Sequence, residues 1–189
     1  YGNTNKVPIT ENTHQDPITP YGRSKLMIEL LLEDFYKAYK LPSIILRYFN
    51  ASGAEPNGEL GEDHNPETHL IPLVLDAITG HRESIKVFGN NYPTPDGTCI
   101  RDYIHVVDIA YAHVIALKKL LASGGFDIYN LGTGKGHSVK EVIDTCSLVT
   151  GIEPVVEITA RREGDPPILI SSCEKAKKEL GWEPKYPDL

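Results

Sequence analysis

The sequence predicts an α/β protein, and two observations lead to this prediction. Segments with helical periodicity alternate along the chain with short, mostly apolar, β-branched runs that are typical of buried strands. In the clearest case, a helix over residues 21–39 is followed directly by such a run at residues 43–49, which is half of a βαβ unit. We therefore expect an α/β chain that comprises the tail of one domain and most of another.

The first element is a helix, and the segment before it, residues 1–19, is polar and predicts a loop. Thr19 is the expected N-cap and Pro20 the first helical residue. Apolar residues recur at intervals of three and four, which predicts one buried face. This stripe comprises Ile28, Leu31, Leu32 and Phe35, with Met27 and Leu30 beside it.

The later elements follow a loop over residues 51–69 that is rich in glycine, proline and acidic residues. Asp108 is the expected cap of one helix, Ser138 and Glu141 form a capping box for the next, and Ser172 is the expected cap of the last. In order, we expect a helix at 70–79, strands at 85–88 and 103–107, a helix at 108–122, a strand at 127–131, a helix at 138–150, a strand at 154–158 and a helix at 174–180.

Composition limits the partners and the compartment. The chain has 189 residues, a formal net charge of −7 and no basic run, so it is a poor match for nucleic acid or an anionic membrane. Its apolar runs are too short to cross a bilayer. Cys99, Cys146 and Cys173 are widely spaced without a metal-ligand pattern, so we expect reduced thiols, a cytoplasmic protein and no metal site.

A tyrosine and a lysine four residues apart, Tyr21 and Lys25, open the first helix. A phenol keeps its proton until about pH 10, but an ammonium one turn away and the positive end of the helix dipole both favour the phenolate. The pair therefore suits an enzyme that removes a hydroxyl proton while a hydride leaves the same carbon. The same spacing also arises by chance in amphipathic helices, so the pair alone does not decide the function.

Three further segments suit a phosphorylated sugar ligand. Asn50 follows the strand at 43–49, at the end of a sheet where ligands bind, although the aromatic residues before it also suit a core. Arg101 follows a glycine-containing loop and suits a phosphate, or else it pairs with Asp102 on the surface. Arg162 and Asp165 belong to an Arg-Arg-Glu-Gly-Asp run that suits a diphosphate and a ribose, or a solvated loop.

Taken in order, these segments resemble the UDP-glucose 4-epimerase group of the extended short-chain dehydrogenase/reductase family over essentially the whole chain. The nine matching motifs are Tyr-x-x-x-Lys at 21–25, Arg-Tyr-Phe-Asn at 47–50, Gly-Glu-Asp at 61–63, His-Leu-Ile-Pro at 69–72, Phe-Gly-Asn at 88–90, Asp-Gly-Thr at 96–98, Arg-Asp-Tyr-Ile-His-Val at 101–106, Tyr-Asn-Leu-Gly at 129–132 and Arg-Arg-Glu-Gly-Asp at 161–165. The resemblance implies the C-terminal part of a Rossmann-type doubly wound parallel sheet plus a smaller α/β substrate-binding domain. Residues 1–50 would be the tail of the Rossmann-type NAD-binding domain. Residues 51–189 would mainly form a UDP-sugar-binding domain, with some segments returning to the first.

The resemblance also implies an NAD-dependent epimerisation at C4 of a UDP-sugar, which interconverts UDP-glucose and UDP-galactose through a 4-keto intermediate. Tyr21 would be the catalytic base, Lys25 would hold the nicotinamide ribose, and Phe49 would lie near the cofactor. The implied substrate-binding residues are Asn50, His69 and Leu70 along the substrate path, Lys86 and Phe88 around the uracil, Arg101 and Arg162 on the diphosphate, and Tyr103 and Asp165 nearby.

Two positions bear on the preferred sugar. His69 stands where many relatives have asparagine, which puts a contact through that side chain in doubt. Leu169 lies four residues beyond Asp165, where a tyrosine excludes N-acetyl sugars in the family, so we expect some activity on UDP-GalNAc. A UDP-pentose (xylose/arabinose) 4-epimerase and a non-catalytic relative that binds NAD or a UDP-sugar stay open as alternatives.

One part of the family pattern does not occur in this sequence, namely the G-x-x-G-x-x-G loop that binds the cofactor pyrophosphate. The resemblance implies that this loop precedes Tyr1, as does a Ser or Thr near the reacting hydroxyl. We therefore expect a fragment that is inactive alone. The family also implies a homodimer that pairs through the helix at residues 21–39.

Overall fold

Helices and strands alternate along the chain, which confirms the α/β class. The computed structural model describes residues 1–2, 4 and 6–189, so positions 3 and 5 of the predicted first loop lie outside the described residues. In chain order the elements are α1 (Pro20–Tyr39), β1 (Ser43–Tyr48), β2 (Asn50–Ser52), α2 (Leu70–Ile78), β3 (Ile85–Phe88), β4 (Ile100–Arg101), β5 (Tyr103–His105), α3 (Val106–Ser123), β6 (Phe126–Leu131), β7 (His137–Ser138), α4 (Val139–Thr150), β8 (Val156–Thr159), β9 (Ile168–Leu169) and α5 (Glu174–Leu180).

Most strand pairs are parallel. β1 runs beside β6, from Ser43 opposite Phe126 to Tyr48 opposite Leu131. β2 pairs in parallel with β5, and β3 pairs in parallel with β8. β4 lies in a mixed three-stranded sheet, parallel to β9 and antiparallel to β7. Because parallel strands end at the same edge, the segments that follow β1 and β6 lie side by side.

Two apolar clusters form the core. The first is built from α3, β5, β6 and α5, with β1 packed against it, and its central buried residues are Ile104, Tyr129, Leu131 and Trp182. The second lies between α2, β3 and α4, and its buried residues are Val74, Ile78, Ile85, Val87 and Ile143. Segments from the second half of the chain therefore share one core with β1.

Several helix ends follow their sequence signals. Thr19 caps α1 by accepting a hydrogen bond from Gly22 N at 3.1 Å, and Pro20 is at the first helical position. Ser138 and Glu141 form both bonds of the capping box at α4. These predictions are confirmed, because each signal acts within a few residues of the helix end.

The predicted cap of α3 is wrong. The helix begins two residues earlier, and its N-cap is His105, whose Nδ1 accepts a hydrogen bond from Val107 N at 3.2 Å. Asp108 is instead a fully buried residue of the first turn. It accepts hydrogen bonds from Lys185 N and Tyr186 N at 2.9 and 3.0 Å. This carboxylate therefore anchors the end of the chain and not the end of its own helix.

The shortest strands and the start of α5 also differ from the prediction. β2, β7 and β9 have three, two and two residues, too few for a periodic pattern. The strand expected at 103–107 ends at His105, because α3 has already begun. Cys173, not Ser172, is the N-cap of α5, and its side chain makes no cap bond. Ser172 N instead donates to Ile9 O at 2.7 Å, which ties the first loop to the segment after β9.

The buried face predicted for α1 is not found within the described chain, because no residue of this helix is buried there. The apolar side chains exposed along it are Met27, Ile28, Leu30, Leu31, Phe35 and Tyr39. Among the helices that the described residues form, none combines the length and the apolarity needed to cross a bilayer.

Candidate active site

The first turns of α1 present Tyr21 and Lys25 to solvent. Tyr21 is 72% exposed, and Lys25 Nζ lies 5.3 Å from the centre of its ring. The Thr19 cap fixes the first turn, so the phenol stands near the unsatisfied N–H groups of the helix end. A lysine ammonium has three donors, and at this exposed position they are free to reach the hydroxyls of a ribose. The pair therefore fits a ligand that brings a hydroxyl to the phenol.

A half-buried ion pair fixes α1 to β1. Arg47 Nε and Nη2 donate to the two carboxylate oxygens of Glu29 at 2.9 and 2.5 Å. Gln15 Nε2 donates to the same carboxylate at 3.0 Å. Burial opposes ionisation of Glu29, but the bonds from Arg47 and Gln15 outweigh it and lower the pKa of that carboxyl. The pair therefore sets the position of the Tyr21 helix relative to the strand that leads to Phe49 and Asn50.

The segment after β1 binds the neighbouring strand. Phe49 N donates to Leu131 O at 3.2 Å. Asn50 N and Nδ2 both donate to Asp102 O, at 3.0 and 2.9 Å, and Asn50 lies opposite Tyr103 in the β2–β5 pair. Burial raises the pKa of Tyr103 to about 12, so its hydroxyl stays protonated at neutral pH. Asn50 and Tyr103 are thus brought together, although they are 53 positions apart in the chain.

Arg101, Asp165 and Leu169 also come together. Arg101 Nη2 donates to Asp165 Oδ1, and Arg101 lies opposite Leu169 in the parallel β4–β9 pair. Asp102 is fully buried, so the surface pair with Arg101 considered above does not form. An arginine and an aspartate in contact can exchange partners when an anion and a hydroxyl arrive, which suits a diphosphate next to a ribose.

The second arginine covers an aromatic ring. The Arg162 guanidinium carbon lies 3.8 Å from the centre of the Phe88 ring, a cation–π contact. Lys86 lies two residues earlier on the same strand and is exposed, and so it shares the face of Phe88. The guanidinium occupies the ring face that a planar base would use.

A cavity of about 440 Å³ adjoins Arg162 and Asp165 and includes one residue that the sequence analysis missed, Tyr92. Tyr92 and Arg161 line it together with Arg162 and Asp165. The Arg161 guanidinium lies 4.1 Å from the centre of the Tyr92 ring, and its Nε donates to Asn91 Oδ1 at 2.6 Å. Tyr92 is 6% exposed, and its hydroxyl has no hydrogen-bond partner among the described residues.

A glycine in the turn at residues 89–97 is the sequence signal for the contact between Tyr92 and Arg161. Gly89 has φ +87°, and a Cβ there would come within 2.5 Å of Arg161 Cγ and 2.9 Å of Tyr92 Cε2. A glycine in this turn therefore reflects the close approach of the Arg161 loop as well as the turn itself.

The arginine loop also touches the start of α1. A Cβ on Gly164 would lie 2.9 Å from Ile18 Cδ1, so the loop packs against the residue just before the Thr19 cap. The cavity and the first turn of the Tyr21 helix are consequently neighbours.

His69 and Leu70 lie apart from these contacts, at the start of α2. His69 is the N-cap residue without a side-chain cap bond, and its Nδ1 pairs with the carboxylates of Glu62 and Glu67. Leu70 packs against the second apolar cluster. A substrate role for either residue therefore stays a prediction.

The chain matches known proteins along its whole length. A sequence model described as GDP-mannose 4,6 dehydratase matches residues 1–187. The UDP-glucose 4-epimerase of Halalkalibacterium halodurans is 53% identical over 189 residues, which are 100% of this chain and 57% of that protein. The chain thus spans little more than half the length of this curated relative.

Two solved structures are similar in fold as well as in sequence. The UDP-glucose 4-epimerase from Brucella ovis in complex with NAD has a TM-score of 0.96 at 49% identity, covering 100% of this chain and 58% of that chain. The enzyme from Bifidobacterium longum in complex with NAD+ and UDP has a TM-score of 0.92 at 42% identity, covering 98% of this chain and 56% of that chain. The similarity therefore includes the Tyr21 helix, both cores and the Arg162 loop.

Proposed function

We propose that this chain, which belongs to the GDP-mannose 4,6 dehydratase family, carries the proton-transfer and substrate-binding residues of an NAD-dependent UDP-sugar 4-epimerase. One observation carries the proposal, namely that the Arg162 loop packs against Ile18, three residues before Tyr21. Cationic side chains suited to a diphosphate thus lie beside a tyrosine–lysine pair suited to proton transfer. The similarity to UDP-glucose 4-epimerases supports the same reaction.

In this proposal Tyr21 moves the proton. Its phenolate accepts the proton of the sugar 4-hydroxyl and later returns a proton to the same oxygen. Lys25 donates to the nicotinamide ribose, and Phe49 lies beside the cofactor. NAD, when bound, supplies the reversible hydride acceptor for C4.

The same proposal assigns the remaining side chains to the substrate. Epimerisation requires both faces of the 4-keto sugar to reach one hydride carrier, so the protein must hold the nucleotide and leave the hexose free to turn. Arg101 and Arg162 would hold the diphosphate, and the Arg101–Asp165 contact would open as the anion binds. The other substrate residues would be Asn50, His69, Leu70, Lys86, Phe88, Tyr103 and Leu169.

The assembly is part of the proposal. Residues 1–50 would belong to the NAD-binding domain and residues 51–189 mainly to the UDP-sugar-binding domain. The shared core supports the return of residues 104–131 and 173–182 to the first domain. The exposed apolar side chains of α1 support a homodimer through residues 21–39. The three free cysteines are consistent with a cytoplasmic protein.

The reaction is tested with the protein expressed from its complete gene. We expect conversion of UDP-glucose to UDP-galactose without net reduction of NAD. The products are separated by chromatography and analysed by mass spectrometry. Turnover of UDP-xylose alone would identify a pentose epimerase, and binding of UDP-sugars without any product would identify a non-catalytic relative. The 189-residue chain by itself is expected to show no turnover, because the glycine-rich phosphate loop is not in it.

Leu169 gives a second prediction, on substrate breadth. Because leucine is shorter than tyrosine, we expect the complete protein to convert UDP-GalNAc as well as UDP-galactose. The change Leu169→Tyr should reduce kcat/KM for UDP-GalNAc by more than about tenfold and change that for UDP-galactose by less than about threefold. A complete lack of UDP-GalNAc turnover in the unsubstituted protein would show that this position does not set the limit.

A further inference from the structure

The loop before α2 gathers two histidines and two carboxylates. The nitrogen or oxygen ligand atoms of Glu62, His64, Glu67 and His69 all lie within 4.8 Å of one another. The intervals between these residues in the chain are two, three and two, a pattern that matches no familiar metal motif. The sequence analysis therefore predicted no metal site, and the folded loop creates the cluster.

The spacing of the donor atoms suits a four-coordinate ion. His69 Nδ1 lies 3.1 Å from Glu67 Oε1, and His64 Nδ1 lies 3.7 Å from the same oxygen. His69 Nδ1 also contacts Glu62 Oε1. Tetrahedral zinc, with bonds of about 2.0–2.2 Å, separates its ligand atoms by about 3.4 Å. A small relaxation of the exposed side chains therefore brings all four donors to one ion.

The loop at residues 53–69 carries an excess of negative charge, which a bound cation would balance. Residues 53–69 contain five carboxylates, Glu55, Glu59, Glu62, Asp63 and Glu67, and no lysine or arginine. Two of these carboxylates converge on one ring nitrogen of His69. A single N–H on that nitrogen can donate well to only one of them, whereas a divalent ion satisfies both carboxylates and both imidazoles.

Glu67 is already oriented for this role. Its Oε1 accepts hydrogen bonds from Thr68 N and His69 N at 2.6 and 2.7 Å. The backbone at the start of α2 thus supplies the outer contacts that orient metal ligands in proteins.

We infer that Glu62, His64, Glu67 and His69 form a binding site for one divalent transition-metal ion of the zinc class. Imidazole nitrogens with carboxylate oxygens favour such ions over magnesium or calcium, which prefer oxygen ligands alone. The bound ion would tie the loop of residues 53–69 to the start of α2. This inference does not depend on the reaction proposed above.

Zn²⁺ titration of the complete protein tests the site. The wild-type protein and the variants His64→Ala and Glu62→Gln are compared by equilibrium dialysis with Zn²⁺ alone, and by the visible absorption of bound Co²⁺, which reports tetrahedral ligands. We expect each variant to lose about 100-fold in Zn²⁺ affinity and the wild-type Co²⁺ spectrum to disappear. His81→Ala is the matched control, since His81 is an exposed histidine whose Nδ1 lies 3.8 Å from Asp76 Oδ1 outside the cluster.

Two results would overturn the inference. One is a wild-type protein without saturable Zn²⁺ binding. The other is equal Zn²⁺ affinity in the wild type, both cluster variants and the control. Circular dichroism in the presence of a chelator verifies that every variant is folded before the titration.

Discussion

The replacement Tyr21→Phe is expected to lower kcat of the complete protein for UDP-glucose by about a thousandfold. Phenylalanine lacks the phenol oxygen that we propose accepts the proton of the sugar 4-hydroxyl. The affinity for UDP should stay within about twofold, because Arg101, Arg162 and Asp165 are unchanged. Initial rates of UDP-galactose formation and calorimetric titration with UDP measure the two effects separately.

The matched control for this change is Tyr39→Phe. Tyr39 is 75% exposed at the opposite end of α1, so the substitution alters the same helix and removes the same atom far from the cap. We expect its kcat to equal that of the wild type. A Tyr21→Phe protein that keeps more than about a tenth of the wild-type rate would rule out Tyr21 as the base and assign the proton to another group.

The parts of the fold that local sequence determines were predictable. α1 was recognised by its apolar spacing, its cap and its proline, which all lie within one short segment. The capping box of α4 is of the same kind. Parallel β strands of four to six residues, such as β1 and β6, also carry enough apolar residues to be recognised.

Elements that depend on distant residues were not predictable. Asp108 has the chemistry of an N-cap, but the chain end supplies the amides that it binds, and these are more than seventy positions away. Ser172 likewise binds Ile9 and not the helix that follows it. A rule for helix caps considers only residues that are close in the sequence. It therefore fails where a distant residue forms a hydrogen bond with the same side chain or amide.

The candidate site likewise contains residues that local motifs identified and contacts that depend on distant residues. Motifs indicated Tyr21, Arg101 and Arg162, but their order along the chain did not show that Arg101 pairs with Asp165 or that Arg162 covers Phe88. Tyr92 was missed because it belongs to no motif of known spacing, and the sequence did not show that Arg161, the first residue of the Arg-Arg-Glu-Gly-Asp motif, contacts it from another loop. The chemistry of the site was thus readable from single segments, and its geometry required the fold.

Asp102 holds the segment at residues 133–134 and the segment at residue 171 together. Its two oxygens accept five hydrogen bonds, from Thr133 N and Oγ1, Gly134 N, and Ser171 N and Oγ, at distances from 2.6 to 3.2 Å. A Cβ on Gly132 would collide with Asp102 and Ser171, so the loop approaches as closely as a backbone can. Asp102 also stands between Arg101 and Tyr103, two residues of the candidate site.

We therefore expect Asp102→Ala to lower the free energy of unfolding of the complete protein by about 3–5 kcal/mol, measured by chemical denaturation. The loss is large because the buried N–H and O–H donors of Ser171 and the partly buried donors of Thr133 stay without an acceptor. Asp102→Asn should also destabilise the protein, since the amide NH2 group would face N–H and O–H groups that need an acceptor.

Asp144→Ala is the control. It removes an exposed carboxylate that pairs with Lys140 on α4, and it should lower the free energy of unfolding by less than about 1 kcal/mol. If Asp102→Ala and Asp144→Ala cost the same, the carboxylate of Asp102 does not hold the loops. In that case the strand pairs alone would position Arg101 and Tyr103, the two proposed substrate residues on either side of Asp102.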